Sequence, residues 1–273
     1  MESKQVALIT GASSGIGKET ATLLHTYGYK VYGAARRLDE MKDLEIKGIT
    51  TLPLDITDEQ SATSCVNQII KTEGRIDILV NNAGYGSYGA IEDVKLEEAR
   101  RQFDVNIFGL ARITQLVLPY MRQHKYGKIV NISSMAGKIY TPFGGWYHAT
   151  KHALEGLSDC LRLETKSFGI DVIIIEPGGI KTNWGLIAAD NLRKASARGA
   201  YSQSTDKTAE NMTEMYRSNK LSDVSVIAKT ILKAIKASKP RTRYAVGYMS
   251  KLSIFVRTYF GDRIFDRVIK MIL

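Results

Sequence analysis

Gln5-Val6-Ala7-Leu8-Ile9-Thr10-Gly11-Ala12-Ser13-Ser14-Gly15-Ile16-Gly17 is the stretch on which the reading of this chain turns. Gln5–Ile9 is a short β-branched and apolar run, the pattern of a buried strand, and Gly15–Tyr27 continues as an amphipathic helix. Three glycines, spaced G-x-x-x-G-x-G, fall between strand and helix. In that context glycine permits a tight turn, close approach to a pyrophosphate, and a helix N-terminus aimed at negative charge.

The pattern repeats along the chain. Lys30–Ala34, Ile49–Leu52, Ile76–Val80, Lys128–Ile132 and Val172–Glu176 read as further buried strands. Asp58–Glu73, Glu97–His124 and Tyr147–Phe168 read as the helices among them. Strand and helix in alternation imply parallel crossovers and a three-layer, doubly wound α/β sheet, a Rossmann fold. With no linker or repeat, one domain is expected over 1–273. It divides into a cofactor and catalytic core (1–182), a substrate segment (183–220) and a C-terminal helical extension (221–273).

Tyr147 and Lys151 stand four apart, on one helix face, with Ser134 thirteen residues upstream. A cation one turn from a phenol favours the phenolate, so the tyrosine is expected to exchange a proton nearer neutral pH. At these residues the chain resembles the short-chain dehydrogenase/reductase family over about residues 5–182. The match runs through T-G-x-x-x-G-I-G at Thr10–Gly17, Asn81-Asn82-Ala83-Gly84, Asn106, Ser133-Ser134, Tyr147-x-x-x-Lys151 and Pro177-Gly178 leading to Thr182. The resemblance implies hydride transfer between a nicotinamide cofactor and a carbonyl or alcohol. Tyr147 is then the acid or base, and Ser134 holds the substrate oxygen. Lys151 lowers the phenol pKa and binds the ribose, and Asn106 kinks its helix and anchors a water. Thr182 orients the carboxamide.

The same resemblance assigns cofactor contacts to Gly11, Ser13, Ser14, Gly15, Ile16 and Gly17 in the first turn. It adds Asp55 (toward the adenine amino group) and Ile56 after the third strand, Asn82, Ala83 and Gly84 after the fourth, and Pro177, Gly178, Ile180 and Thr182 near the sixth. The second strand ends Gly33-Ala34-Ala35-Arg36-Arg37. Ala35 stands where NAD-preferring relatives carry an aspartate, and Arg36 with Arg37 suits a 2′-phosphate, so NADP(H) is expected over NAD(H).

Substrate contacts are expected from Ser134, Tyr85, Tyr140 and Trp184, with Ser87, Tyr88, Phe143 and Trp146 nearby. Their aromatic character favours an apolar body bearing one carbonyl. Asn82-Ala83-Gly84-Tyr85-Gly86, Pro142-Phe143 and the long extension resemble the hydroxysteroid and retinol dehydrogenase-like branch. That branch implies steroid-, retinoid- or acyl-chain-like carbonyls. Two rivals stand: a catalytically quiet NADP-binding sensor or scaffold, and a polar sugar or polyol dehydrogenase. A sensor has no need of Ser134, Tyr147 and Lys151 together, and a polyol site calls for hydrogen-bonding groups in place of aromatic ones.

The remaining features bound the setting. A formal net charge of +10 invites a nucleic-acid reading, but no nucleic-acid-binding motif accompanies it. Two cysteines, Cys65 and Cys160, are too few for a disulfide framework. Met1–Gln5 shows no signal-peptide pattern, and a cytoplasmic setting is expected. His148 and His152 share a helix face without a third ligand, so they read as surface or interface residues and no metal is expected. Met121, Met135 and Met249 read as gap-fillers. Residues 183–219 are polar and read as a mobile loop with short helices. Ser222–Ser238 is a helix stopped by Pro240, and Tyr244–Gly247 is a short strand. At the C-terminus Ile264, Phe265, Val268, Ile269 and Ile272 oppose Arg263, Arg267 and Lys270. A helix packed beside the substrate pocket is the favoured reading, and peripheral contact with an anionic membrane is the second. By family habit the chain is expected to form a homodimer or homotetramer through 97–124 and 147–168.

Overall fold

The computed structural model describes residues 4–272, so the Met1–Ser3 end read above lies outside it, as does the side chain of Ile272. Seven parallel strands form one sheet: β1 (Val6–Thr10), β2 (Lys30–Ala35), β3 (Thr50–Pro53), β4 (Ile78–Asn81), β5 (Gly127–Ile132), β6 (Ile170–Pro177) and β7 (Arg243–Val246). Their order is β3-β2-β1-β4-β5-β6-β7. The chain winds outward from β1 in one direction and from β4 in the other, and ligands in such sheets bind at that reversal, beyond the strands' carboxyl ends.

The helices are α1 (Gly15–Thr26), α2 (Lys42–Ile46), α3 (Glu59–Glu73), α4 (Leu96–Phe103), α5 (Leu110–Gln123) and α6 (Gly145–Thr165). After β6 come α7 (Trp184–Ala195), α8 (Ser202–Arg217), α9 (Ser225–Lys236) and α10 (Ser250–Ile272). Period-two alternation divides β1 between two cores. Ala7 and Ile9 join Ala21 and Leu24 of α1 and Ile227 and Ile231 of α9, while Val6 and Leu8 join Val66 and Ile69 of α3 and Ile113 and Val117 of α5. This is the expected three-layer, doubly wound arrangement, and the short seventh strand falls within one residue of its expected place.

Three expectations are refined. The helix expected over Glu97–His124 runs without a break from Leu96 to Gln123, and its middle, Asp104–Gly109, widens into a turn of π geometry between α4 and α5, where a kink at Asn106 was expected. Asn106 sits in that turn. A Cβ at Gly109 would lie 2.6 Å from the Ile56 carbonyl oxygen, so a close crossing with the β3–α3 connection shapes it. The polar stretch read as a loop with short helices is α7 and α8, of 12 and 16 residues. They pack through Ala188, Ala189, Leu192 and Ala209, small residues that leave a weak apolar stripe in the sequence. The C-terminal helix begins at Ser250 and breaks at Gly261, whose φ of 72° is left-handed. Of its expected apolar face Phe265 is buried, Val268 and Ile269 are half-buried, and Ile264 is exposed. No described helix is long and apolar enough to cross a membrane.

Candidate active site

At the switch between β1 and β4, Thr10 Oγ1 accepts from the backbone N–H groups of Asn82 and Ala83, each at 3.0 Å. Asn82 Nδ2 donates to the carbonyls of Thr10 and Gly11, at 3.0 and 3.1 Å. These bonds tie the turn after β1 to the turn after β4. A Cβ at Gly17 would lie 2.4 Å from the Gly11 oxygen and one at Gly11, itself at φ +67°, would lie 2.9 Å from the Ala83 Cα. The glycines are therefore required by backbone contact. The Ser14 side chain makes no capping bond to α1, so the first-turn N–H groups are presented to the cleft without a side-chain cap.

The cleft beyond these turns has a volume of about 2060 Å³. That is larger than an ordinary small-ligand pocket of roughly 300–1,000 Å³ and accommodates a dinucleotide beside a substrate. Gly11, Ser13, Ser14, Gly15 and Ile16 line it, whereas Gly17 lies behind them as a spacer. Arg36 and Arg37 stand exposed at its rim after β2. Asp55 and Ile56 follow β3 into the cleft; a hydrogen bond from Thr57 holds the Asp55 carboxyl below the usual range, with Arg36 and Arg101 adding to the effect. Asn82, Ala83, Gly84, Pro177, Gly178, Ile180 and Thr182 complete the wall. Thr182 faces the first turn, with its Cγ2 3.5 Å from where a Gly15 Cβ would be. A glycine-lined cradle, an uncapped helix N-terminus and a strand end carrying arginines without a carboxylate fit a nicotinamide dinucleotide.

Tyr147 and Lys151 enter the cleft from α6 and Ser134 from the end of β5. Ser134 Oγ accepts from Ala136 N at 3.1 Å, which orients it. Lys151 Nζ donates to the Ile132 carbonyl at 2.8 Å and lies 5.9 Å from the Tyr147 ring centre. Burial pulls the Lys151 ammonium down to about 8, while Glu155, one turn further along α6, pushes it back up. Burial raises the Tyr147 phenol, and a hydrogen bond with Ser134 opposes it. Lys151, expected to lower this phenol, is not among the groups that shift it: Tyr216 adds to the rise, and Ser134 alone lowers it. Desolvation acts on both groups, and Ser134 is the neighbour that eases the phenolate.

Asn106 acts from behind. Its Oδ1 accepts from Tyr85 N at 3.1 Å, and its Nδ2 donates to the Tyr85 carbonyl at 2.9 Å and to Thr150 Oγ1 at 3.1 Å. It joins the π turn, the β4 turn and α6, one residue before Lys151. Ser133, the neighbour of Ser134, is buried with an unpartnered hydroxyl.

On the substrate side Tyr85 and Trp184 line the cleft. Tyr85 donates to Glu98 at 3.0 Å, and the Trp184 ring lies 5.0 Å from Tyr147. Tyr140 does not line it: its hydroxyl donates to Asp266 at 2.9 Å and its ring packs edge-on against Phe265. The 3₁₀ turn at Met135–Gly137 that follows Ser134 redirects the chain, so Tyr140 anchors α10 instead of meeting substrate. Phe143 packs against Tyr201, and Trp146 borders a shallow depression beside α4. His148, read as a surface or interface histidine, is buried. Its Nε2 lies 3.1 Å from Thr141 N and its Nδ1 3.1 Å from the Ala136 carbonyl. It holds the Ser134 loop against α6. Met135 and Met249 line the cleft and Met121 is core. The residues missed are Ile187, Met212, Met215 and Tyr216 of α7 and α8, which also line the cleft. Among the described residues no cluster suited to a metal ion occurs.

A buried tyrosine, a serine and a lysine facing a dinucleotide cradle across one cleft define an oxidoreductase of the doubly wound class. The short chain dehydrogenase family model matches residues 5–194, and the chain belongs to that family. It is 34% identical over 273 residues to the NADPH-dependent 3-dehydrocapnine reductase of Ornithobacterium rhinotracheale, covering 96% of this chain and 95% of that one. It is 44% identical over 180 residues to the 3-ketodihydrosphingosine reductase of Bacteroides thetaiotaomicron, covering 66% and 65%. A short-chain dehydrogenase from Streptomyces avermitilis superposes with a TM-score of 0.80 at 33% identity, over 92% of this chain and 90% of that one.

Proposed function

We propose that the chain is an NADPH-dependent reductase of a long, apolar ketone, of the kind its 3-keto relatives are named for. The observation that carries the substrate class is the apolar lining of the cleft: Tyr88 and Trp184 against the Tyr147 ring, with Ile187, Met212, Met215 and Tyr216 of α7 and α8. Those rings and thioethers suit an alkyl chain, and Asn191, Lys194 and Thr208 of the same two helices are the polar groups on the cleft beside them. The preference for NADPH rests on Ala35 and Arg36 at the end of β2, where a guanidinium pairs with a phosphate dianion and no carboxylate repels it.

NADPH held by the Gly11–Ile16 turn, Arg36 and Thr182 would supply the hydride for the carbonyl carbon. The ketone oxygen lies between Ser134 and Tyr147, and as charge builds on it the Tyr147 phenol gives up its proton to form the alcohol. A phenol raised by burial is fully protonated at neutral pH, the state an acid requires. Lys151, held by the Ile132 carbonyl, and the Ser134 hydroxyl bear the resulting phenolate. α7 and α8 cover the site and keep bulk water from the developing charge. The complete Ser134, Tyr147 and Lys151 set favours an enzyme over a quiet sensor.

We further infer a cytosolic setting, from two cysteines without a disulfide, and one domain spanning the chain. Assembly as a dimer or tetramer is inferred through the outer faces of the π turn and α6, where Phe108, Leu157 and Leu163 are exposed. The test is product identity. Purified protein with NADPH and 3-ketodihydrosphingosine should yield the 3-hydroxy product by mass spectrometry. Reduction of polar aldoses alone would instead favour the polyol reading.

A further inference from the structure

The first half of α10 turns its large apolar side chains outward. Leu252, Phe255 and Tyr259 recur at i, i+3 and i+7 and are 53%, 50% and 74% exposed, with Phe260 beside them at 50%. The rings pack on one another: Phe255 lies 4.9 Å from Tyr259 and 6.0 Å from Phe260, centre to centre. This is a different face from the one that holds the helix in place. Ser250 Oγ donates to the Glu176 carbonyl at 2.8 Å, and beyond the Gly261 break Phe265 is buried against Tyr140. Contiguous exposed apolar clusters of this kind mark an interaction surface.

Charge selects what covers it. Residues 250–272 contain five basic side chains and two acidic ones. Both acids are engaged, Asp262 with Arg257 at 2.7 Å and Asp266 with Tyr140. Lys251, Arg263, Arg267 and Lys270 are exposed and have no ion-pair partner among the described residues. A second copy of a chain of net charge +10 would bring like charge to this surface. Aromatic and leucine side chains beside unpaired lysine and arginine match the interface of an anionic bilayer, where rings sit at headgroup depth and cations meet lipid phosphates.

We propose that α10 docks the protein on an anionic lipid surface through Leu252, Phe255, Tyr259 and Phe260, with Lys251, Arg263, Arg267 and Lys270 supplying the attraction. Ser253 and Ile269 of the same helix line the catalytic cleft, so docking sets one wall of the cleft against the lipid. Docking itself does not depend on the substrate proposed above. Only its benefit to turnover of a membrane-dissolved ketone rests on that reading.

The test is flotation of the full chain with vesicles of phosphatidylcholine, with and without phosphatidylglycerol. The wild type should float only with the anionic lipid and detach as salt rises. A Phe255→Ser, Tyr259→Ser, Phe260→Ser variant should lose at least about tenfold in binding, given three exposed rings removed from the lipid. Neutralising Arg263, Arg267 and Lys270 to Gln should cost about fivefold for each cation. Unchanged melting temperatures show that both variants fold, since all six side chains are at the surface. Equal flotation with neutral vesicles, no flotation at all, or undiminished binding by the ring variant overturns the proposal. So does self-association that the ring substitutions abolish, which makes the face a subunit contact. None of these readings depends on catalysis, so failure here leaves the reductase reading to its own test.

Discussion

The two sides of the cleft are built from different material. The side formed by β1, the β4 turn and β6 is largely backbone: glycines at closest approach, N–H groups at a helix start, and Thr10 and Asn82 tying turn to turn. The side formed by α7, α8 and α10 is side chains on mostly small or polar helices, with Trp184, Met212, Met215 and Tyr216 lining the cleft. The first has one geometry that works for a dinucleotide, so few residues can serve. The second needs only an apolar wall of the right reach, which many sequences provide. Between them stand Ser134, Tyr147 and Lys151.

The largest effect is expected at that junction. Tyr147→Phe should retain NADPH binding and lose roughly 10²–10⁴-fold in turnover, the ordinary contribution of a general acid. Comparable activity would remove the proposed acid and with it the division of labour between the two sides. On the backbone side, Arg36→Ala should weaken NADPH by roughly ten- to a hundredfold, one charge-assisted contact, and leave NADH nearly unchanged by fluorescence titration. Equal losses would mean that Arg36 does not read the 2′-phosphate.

On the side-chain side, Trp184→Ala should raise KM for a long ketone roughly tenfold while NADPH affinity holds. A loss in NADPH affinity of the same size would show that α7 serves the cofactor as much as the substrate. The smallest effect is on pH dependence. Lys151 has its proton affinity lowered by burial to about 8 and raised by Glu155. Turnover should therefore fall as pH rises through about 8, where the cation is lost. Glu155→Gln removes the raising influence and should move that alkaline limb to lower pH. A limb that stays in place would mean that another group sets it.

How much was legible follows the same division. The turn at Thr10–Gly17 was readable because a Cβ there would strike backbone, a constraint that leaves glycines in the sequence. Tyr147 and Lys151 were readable because helix periodicity alone puts them on one face. A kink at Asn106 was expected only from the resemblance, and its π geometry was not readable, because the crossing with Ile56 beside it involves a neighbour distant in the chain. α7 and α8 looked like loop because their buried face is one glycine, three alanines, two threonines and one leucine. Tyr140 was misassigned to the substrate because six residues after Ser134 say nothing of direction. The turn at Met135 sends its ring to Phe265 of α10. His148 looked like a surface residue because its partners, Thr141 and the Ala136 carbonyl, belong to the folded loop.

The most direct test is the dependence of kcat/KM on chain length across a homologous series of ketones, followed by loss of NADPH absorbance with the full chain. The expected result is a steady rise with each added methylene until the wall of α7 and α8 is filled. A flat series, or a preference for a polar sugar over every alkyl ketone, would contradict the assignment of that wall to an apolar substrate.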